Sequence, residues 1–216
     1  MTFPDLSFVD LRLIEYSQAL STQKYFWQKR VNGDVTDTII FCEHPAVLTI
    51  GKHGNVNNLL TSNSTLKIKK IELFRIERGG DITFHGPGQL IAYPIVKLHQ
   101  PLISIKQFIN KLEQIIINTL SAFNISTIRK PKYIGVWVKD KKIASIGIAV
   151  TKHVTFHGLA LNVSTDLSFF EMINPCGHEE ITMTSMEKIL QQKVPIKNVQ
   201  QELQNQFIKI LLPDIK

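Results

Sequence analysis

The stretch Arg78–Ile95 reads RGGDITFHGPGQLIAYPI and holds two strand-like segments around a glycine-rich turn. Four glycines fall within the twelve residues from Arg78 to Gln89. Glycine in strands and turns often marks close approach of the backbone to a ligand, although tight hairpin turns alone also place glycines in this way. The pattern is neither the G-x-x-x-x-G-K-[ST] phosphate loop nor the G-x-G-x-x-G dinucleotide fingerprint. It predicts a strand, a Gly-Pro-Gly turn and a second strand.

Strand-like and helix-like segments alternate irregularly on both sides of this hairpin. Apolar residues at helical spacing predict helices over Tyr16–Arg30 and Ser104–Ala122, and a helical C-terminal third. Strand patterns occupy DTIIFCEHPAVLTIG, IELFRIERGG, IGVWVKDKKIASIGIAV and HVTFHGLALNVS, with a hairpin turn near Asp140–Lys141. Asn55–Lys70 reads as a loop rich in Asn, Ser and Lys. This order favours an α+β fold with a mixed, largely antiparallel sheet flanked by helices, in one domain over residues 1–216.

Positive charge is concentrated in one window of the chain. The net charge is +7, and Lys97 to Lys142 contains nine basic residues against the acidic Glu113 and Asp140. Such an excess favours an acidic partner, either nucleic acid, an anionic membrane or an acidic carrier protein, while lysines spread over solvated faces are the plainer alternative. No RNP-type aromatic motif or recognition-helix pattern supports a nucleic-acid-binding module.

Several classes of protein are disfavoured by what the sequence lacks. No apolar run approaches the roughly 20 residues that span a bilayer, and the N-terminus does not resemble a signal peptide. Two cysteines, Cys42 and Cys176, are too few for a disulfide framework, so we expect a soluble, reduced, cytoplasmic protein. His153 and His157 lie outside any H-E-x-x-H motif and neither cysteine belongs to a C-x-x-C pair, so we expect no metal site.

The second cysteine lies in the segment INPCGH, Ile173–His178. Pro175 fixes φ on one side and Gly177 permits positive φ on the other, which predicts that Cys176 is presented on a turn. A single cysteine is more often a buried, unreactive thiol, and a reactive one needs a base or a cation beside it.

Lys142 is a candidate for that cation because it opens the apolar segment KIASIGIAV. Strict alternation along a strand predicts that it shares a face with Ala144, Ile146 and Ile148. An amine in such surroundings loses hydration, which favours its neutral form. A hairpin lysine that extends to water is the alternative.

Two further segments carry small residues in strand contexts, SIG at Ser145–Gly147 and HGLALN at His157–Asn162. Small side chains on one sheet face leave room for an apolar ligand, although tight packing of neighbouring strands has the same requirement.

In combination these motifs are more specific than each is alone. RGGDITFHGPGQLIAYPI, GVWVKDKKIASIGIAV, TFHGLALNV and INPCG, in this order, resemble the lipoyl(octanoyl) transferases, and EHPAVLTIGKHGNVNNLL also looks like that family's segment. The resemblance extends from about Glu43 to Met186. Two residues depart from the pattern, since Lys52 stands where arginine is expected and His178 where an apolar or aromatic residue is usual.

The resemblance implies the mixed sheet and flanking helices of biotin and lipoate protein ligases. It also implies Cys176 as the acyl-thioester nucleophile and Lys142 as the group that activates it. Backbone N–H groups near Gly147 or in the Cys176 turn are the candidates for holding the oxyanion. The substrate-binding residues that it implies are Arg78, Gly79, Gly80, Asp81, Ile82, Thr83, Phe84, His85, Ser145, Ile146, Gly147, Gly158, Leu159 and Ala160.

The implied reaction moves an octanoyl group from octanoyl-acyl carrier protein to a lysine of a lipoyl domain. The donor is carried on phosphopantetheine, and neither ATP nor a metal is expected. The implied acceptors are the lipoyl domains of 2-oxoacid dehydrogenases and the glycine cleavage carrier protein, with no nucleic acid or membrane as partner. Docking is expected to use the cations Arg129, Lys130 and Lys132. The main alternative is an ATP-dependent lipoate–protein ligase, for which a thioester cysteine is unnecessary.

Overall fold

A computed structural model describes residues 6–98 and 103–212 of the chain. The strands are β1 (Leu6–Leu13), β2 (Asp37–Glu43), β3 (Val47–Ile50), β4 (Glu72–Arg75), β5 (Ile82–His85), β6 (Gln89–Ile95), β7 (Ile128–Lys130), β8 (Tyr133–Val138), β9 (Lys141–Thr151), β10 (Val154–Asn162) and β11 (Thr182–Met183). The α-helices are α1 (Tyr16–Asn32), α2 (Asn63–Ile68), α3 (Ile105–Ala122), α4 (Met186–Leu190) and α5 (Ile196–Leu211). Three short 3-10 segments cover Val56–Asn58, Leu167–Met172 and Pro175–Gly177.

The strands form two sheets. The larger sheet has the order β1-β2-β6-β10-β9-β8-β7, with β11 added beside β9, and the smaller has the order β4-β3-β5. Among the described residues, β1–β2, β3–β4 and β9–β11 pair in parallel, and the other six pairings are antiparallel. The predicted α+β fold with a mixed, largely antiparallel sheet is therefore confirmed.

The two long predicted helices are present near their expected bounds. Ser104 begins α3 with a capping box, in which its Oγ accepts from Gln107 N at 3.2 Å and Gln107 Oε1 accepts from Ser104 N at 2.8 Å. Helix α1 ends at Gly33, whose φ of 84° is the left-handed conformation that glycine adopts without strain. The side chains that α3 buries recur on one helix face: Phe108, Leu112, Ile115, Ile116 and Leu120.

Other elements differ from the sequence-based expectation. The segment predicted as the loop Asn55–Lys70 contains α2, because Ser62 Oγ caps its first turn by accepting from Thr65 N at 3.1 Å. The sequence patterns predict no element over Leu6–Leu13, where the structure has β1. The C-terminal third is helical in α4 and α5, but β11 precedes them. No helix in the described ranges combines the length and apolar character needed to cross a membrane.

The helices divide the large sheet into two different faces. Helices α3 and α5 pack on one face and bury the main hydrophobic core with side chains from β6, β8, β9 and β10. Helix α1 packs on the opposite face against β2, β6 and β10. The smaller sheet lies on the same side as α1, and a cavity lies where it approaches β6, β9 and β10. This gap between the two sheets positions the candidate site.

Candidate active site

The floor of the cavity is built from small residues on β9 and β10. Ser145 pairs with Ala160, and Gly147 pairs with Gly158, so all four lie on one face. A Cβ on Gly158 would lie 2.0 Å from the Ala92 carbonyl oxygen, so only glycine fits there. The neighbouring predicted residues Ile146 and Leu159 direct their side chains into the main core and contribute backbone to the cavity wall.

The Arg78 side chain forms much of one wall. Its Nη2 donates to Thr49 O at 2.7 Å and to Thr49 Oγ1 at 2.9 Å, while Nη1 donates to Gly79 O at 3.0 Å. Gly79 N donates to Ile148 O at 3.0 Å, which ties this wall to β9. Burial lowers the pKa of Arg78 from its usual value, and its Nε has no hydrogen-bond partner among the described residues. A Cβ on Gly147 would lie 3.0 Å from Arg78 Cδ, so glycine at this position lets the wall approach the floor.

Asp81 connects the glycine-rich wall to the cysteine turn. Its Oδ2 accepts from Asn55 N at 3.1 Å and from Asn58 Nδ2 at 2.9 Å, and its Oδ1 accepts from Ile82 N at 2.6 Å. Asn58 O in turn accepts from Asn174 N at 2.8 Å, two residues before Cys176. The carboxylate of this predicted substrate-binding residue is therefore used to hold the cysteine turn in place.

Cys176 lies in that turn with a half-buried side chain and a φ of 59°. Gly177 follows with a φ of 80°, so two successive residues are left-handed, which explains a glycine after the cysteine. Gly177 N donates to Asn174 O at 2.9 Å and His178 N donates to Pro175 O at 3.2 Å. These two amides are used within the turn and are not free oxyanion donors. Cys42, by contrast, is buried in β2, and burial raises the pKa of its thiol.

Lys142 is only 2% exposed, and its Nζ donates to Cys176 Sγ at 3.0 Å. The structure thus brings together the two residues predicted to form the catalytic pair. The Trp137 ring centroid lies 5.7 Å from Nζ. Gly135 has no side chain where the lysine stem passes, since a Cβ there would lie 2.5 Å from Lys142 Cε.

The face on which Lys142 lies differs from the prediction. The β8–β9 register pairs Val136 with Ala144 but Trp137 with Lys142, so Ile143 is an extra residue on β9. A bulge of this kind reverses the alternation of side chains. Lys142 therefore does not share a face with Ala144, Ile146 and Ile148, which pack into the main core. The bulge turns the amine towards the cavity face instead.

Most of the predicted substrate-binding residues line one cavity of about 510 Å³, counting its open mouth. Two do not: Phe84 is 1% exposed and stacks on Phe169 at 4.7 Å in a separate core cluster, and Gly79 contributes backbone bonds behind the wall. The predicted residues that line the cavity are Arg78, Gly80, Asp81, Ile82, Thr83, His85, Ser145, Ile146, Gly147, Gly158, Leu159 and Ala160, together with Cys176. Five lining residues were not predicted: Tyr16, Ile76, Ile91, Tyr93 and His157.

Two buried histidines line the cavity in their neutral form. Burial lowers the pKa of His85 to about 3 and the pKa of His157 to about 4. His85 Nδ1 bonds Gln89 Oε1 at 2.7 Å. Within the part of the chain that the structure describes, His157 Nε2 and Tyr16 Oη have no hydrogen-bond partner, although Glu77 Oε2 lies 3.5 Å from the imidazole nitrogen. Polar atoms therefore line the part of the cavity that lies beside α1 and the start of β10.

The two residues that depart from the family pattern lie at the edges of the site. Lys52 is exposed, and its backbone N donates to Arg78 O at 3.0 Å. The His178 ring lies 5.0 Å from the Tyr133 ring, and its Nδ1 is 3.6 Å from Glu180 Oε1. Across residues 6–98 and 103–212, no group of three or more His, Cys, Asp or Glu side chains is placed to hold a metal ion.

Comparison with known proteins agrees with this geometry. Residues 15–208 match the lipoyl protein ligase A/B catalytic domain. The octanoyltransferase of Alkaliphilus metalliredigens is 40% identical over 211 residues, which cover 97% of each chain. The chain belongs to the octanoyltransferase family. The Thermoanaerobacter sp. octanoyltransferase is 46% identical over 180 residues, 83% of this chain and 78% of the relative. In the Porphyromonas gingivalis octanoyltransferase, which is 42% identical, the match spans 42% of a longer protein and 92% of this chain.

Solved structures share the fold of this chain at low identity. A lipoate-protein ligase A bound with ATP has a TM-score of 0.73 at 16% identity, covering 95% of this chain and 84% of that one. A bi-partite lipoate protein ligase from Thermoplasma acidophilum has a TM-score of 0.71 at 17% identity, covering 95% and 82%. A biotin protein ligase from Aquifex aeolicus, in complex with biotin, has a TM-score of 0.53 at 12% identity, covering 95% and 70%. The predictions of an acyltransferase and of the fold shared with biotin and lipoate protein ligases are confirmed.

Proposed function

We propose that this domain moves an octanoyl group from octanoyl-acyl carrier protein to a lysine of a lipoyl domain, through a thioester on Cys176. The observation that carries the mechanism is the 3.0 Å contact between Lys142 Nζ and Cys176 Sγ beside the cavity. A buried ammonium next to a half-buried thiol stabilises the thiolate, which is the nucleophilic form of cysteine.

In the first half-reaction the thiolate of Cys176 attacks the carbonyl carbon of the donor thioester. The bond from that carbon to the phosphopantetheine sulfur breaks, and Lys142 gives a proton to the departing thiolate. One thioester is exchanged for another of similar energy, so the step needs no ATP. Lys142 is left as a neutral amine beside the acylated cysteine.

In the second half-reaction the neutral ε-amine of the acceptor lysine attacks the acyl group on Cys176. A stable amide forms, and Cys176 leaves as a thiolate. The proton lost by the acceptor nitrogen passes to the Lys142 amine, which restores the starting ion pair. Lysine suits this role because it can both give and accept a proton, which arginine cannot.

The acyl chain fits along the small-residue floor between β9 and β10. Ser145 and Ala160 lie closest along these strands to Lys142, followed by Gly147 and Gly158, and then by His157. A chain attached to Cys176 therefore extends over the glycines towards Tyr16, Ile76 and His157. These residues close the cavity beside α1.

The reading as an ATP-dependent lipoate–protein ligase is less well supported. That chemistry has no need of a lysine-paired cysteine at the acyl site, and the curated relatives described above carry the name octanoyltransferase. Our proposal includes no metal and no ATP. The proposed acceptors are the lipoyl domains of 2-oxoacid dehydrogenases and the glycine cleavage carrier protein. The proposed location of the protein is the cytoplasm.

The test is intact mass after incubation with octanoyl-acyl carrier protein in the absence of ATP. We expect one octanoyl group on Cys176, no adduct on Cys176→Ala, and an unchanged adduct on Cys42→Ala. Subsequent addition of a lipoyl domain should remove the adduct and acylate one lysine of that domain. Turnover that requires ATP, or an adduct on Cys42, would overturn the proposal.

A further inference from the structure

A second concave surface lies between helix α3 and the edge strands β7 and β8 of the large sheet. We call it the α3–β8 groove. Ile105, Lys106 and Ile109 line it from the helix, and Arg129, Lys130 and Ile134 line it from β7 and β8. It holds about 1230 Å³, counting its open side.

The groove is apolar in part and cationic at its margins. Ile105 is 44% exposed and Ile134 is 50% exposed, and both line the same concave surface, so they form an exposed apolar patch of the kind that marks interaction sites. Lys106 is exposed and makes no ion pair with any residue in the described ranges. Arg129 is different, because its Nε lies 3.0 Å from Glu113 Oε2. The combination of exposed isoleucines and free positive charge suits an acidic, amphipathic partner.

The floor of the groove is connected to both members of the catalytic pair. Glu113 Oε1 accepts from Gly135 N at 3.0 Å, and Gly135 is the residue over which the Lys142 stem passes. Tyr133 Oη donates to Glu180 Oε1 at 2.7 Å, and its ring contacts His178, two residues after Cys176. Strand β8 therefore contacts both the groove and the residues that surround the catalytic pair.

We propose that the α3–β8 groove binds an acidic, amphipathic helix of the carrier protein that delivers the acyl thioester. This inference rests on the proposed function. An apolar groove flanked by cations is the surface on which such a helix binds, with its apolar side chains inserted and its carboxylates facing the lysines. The donor fits this position better than the acceptor, because its acyl group travels on a long flexible phosphopantetheine arm. An acceptor lysine is short, so its domain must contact the Cys176 turn directly.

Two substitutions test the groove without touching the acyl site. Ile134→Asp places a carboxylate in its apolar part, and Lys106→Glu reverses the free charge. We expect each to lower kcat/KM for octanoyl-acyl carrier protein by about tenfold, and the loss in Lys106→Glu to shrink as salt rises. Reaction with a small octanoyl thioester that lacks the carrier should remain at the wild-type rate.

The chain offers a matched control for each substitution. Ile128 is also 50% exposed and lies on β7 outside the groove, so Ile128→Asp should behave as wild type. Lys209 is exposed on α5, so Lys209→Glu controls for the change in net charge. Lys130 is a poorer probe, since its Nζ pairs with Asp140 at 2.9 Å and lies 4.6 Å from the Trp137 ring centroid.

Direct binding of the unacylated carrier to the Cys176→Ala protein separates this inference from the chemistry. If Ile134→Asp binds the carrier more weakly than Ile128→Asp does, the groove is supported as a docking site even if no thioester forms. If the wild type forms no thioester, only the proposed function is contradicted. Equal binding by the two aspartate variants would overturn the groove as a docking site. A defect confined to transfer onto the lipoyl domain would also overturn it, because the occupant would then be the acceptor.

Discussion

Gly135 on β8 leaves open the space through which the side chain of Lys142 reaches Cys176. A Cβ on Gly135 would lie 2.5 Å from Lys142 Cε and 2.5 Å from the Ala144 carbonyl oxygen, and the glycine has a φ of 125°. The absence of one side chain thus determines where the amine lies. The catalytic pair depends on this residue although it carries no reactive group.

Gly135→Ala should therefore displace the Lys142 amine from the thiol. We expect about tenfold slower acylation of Cys176 by octanoyl-acyl carrier protein, and a loss of about 1–3 kcal/mol in the free energy of unfolding from the strained φ. Gly33→Ala is the control, since Gly33 also has a positive φ of 84° but a Cβ there meets no atom of residues 6–98 or 103–212 within 4 Å. It should lose stability with acylation unchanged. Equal acylation in the two variants would contradict the positioning role.

Lys142→Met should keep a cooperative thermal transition and react more slowly. The methionine side chain fills a similar space without the charge that stabilises the thiolate, so alkylation of Cys176 by iodoacetamide near neutral pH should slow by at least about tenfold. Lys142→Arg should restore alkylation better than turnover, because arginine cannot give up a proton. Lys141→Met, one residue away and exposed, serves as the control. An alkylation rate in Lys142→Met equal to that of the control would refute the role of the ammonium.

Acyl-chain length should be selected by burial over the β9–β10 floor. Each buried methylene contributes about 0.8 kcal/mol, so a hexanoyl donor should have a kcat/KM more than about tenfold below that of an octanoyl donor. Ala160→Val narrows the floor and should reduce the ratio of kcat/KM for the octanoyl donor to kcat/KM for the hexanoyl donor. Ala149→Val, on β9 outside the cavity, should leave that ratio unchanged. The measurement is kcat/KM for both donors with each variant. Equal values for the two donors in the wild type would mean that the chain is not buried there.

Acid should destabilise the fold through the buried histidines. Burial lowers the pKa of His157 to about 4, below the ordinary value of 6.5, so the unfolded chain takes up this proton first as the pH falls. The contribution of neutral His157 to the free energy of unfolding is complete above pH 6.5 and is lost progressively as the pH falls towards about 4. His157→Asn should flatten that loss, and asparagine tolerates the φ of 56°.

His153→Asn is the matched control for this experiment, because His153 has a φ of 62° but is exposed in the β9–β10 turn. Urea unfolding from neutral pH down to about pH 4.5 compares the variants. If the free energy of unfolding falls with pH as steeply in His157→Asn as in the wild type, other groups are responsible for the acid sensitivity.

Local patterns were sufficient to predict the main elements of this fold. Helical spacing predicted α1 and α3, and alternation predicted the strands around Gly86 and Gly88. Proline and glycine around Cys176 predicted a turn, which the left-handed backbone at this cysteine confirms. These features depend on a few neighbouring residues, so a sequence pattern records them directly.

Features that depend on distant contacts could not be predicted in this way. The bulge at Ile143 appears only in the pairing of β9 with β8, and it places Lys142 on the opposite face from the one expected. Phe84 packs outside the cavity, where its ring stacks on the distant Phe169. Tyr16 and His157 reach the cavity from α1 and β10 only after the two sheets pack together.

The left-handed backbone at Cys176 has a consequence for how this position tolerates change. A non-glycine residue with a φ of 59° carries a conformational cost of order 1–3 kcal/mol, which glycine would avoid. Glycine at position 176 would therefore give a more stable protein, but glycine cannot perform the reaction. Stability and turnover favour different residues at this position. Selection for thermal robustness alone, in the laboratory or in a lineage that obtains its lipoyl groups by another route, would favour loss of the nucleophile while the rest of the fold remained intact.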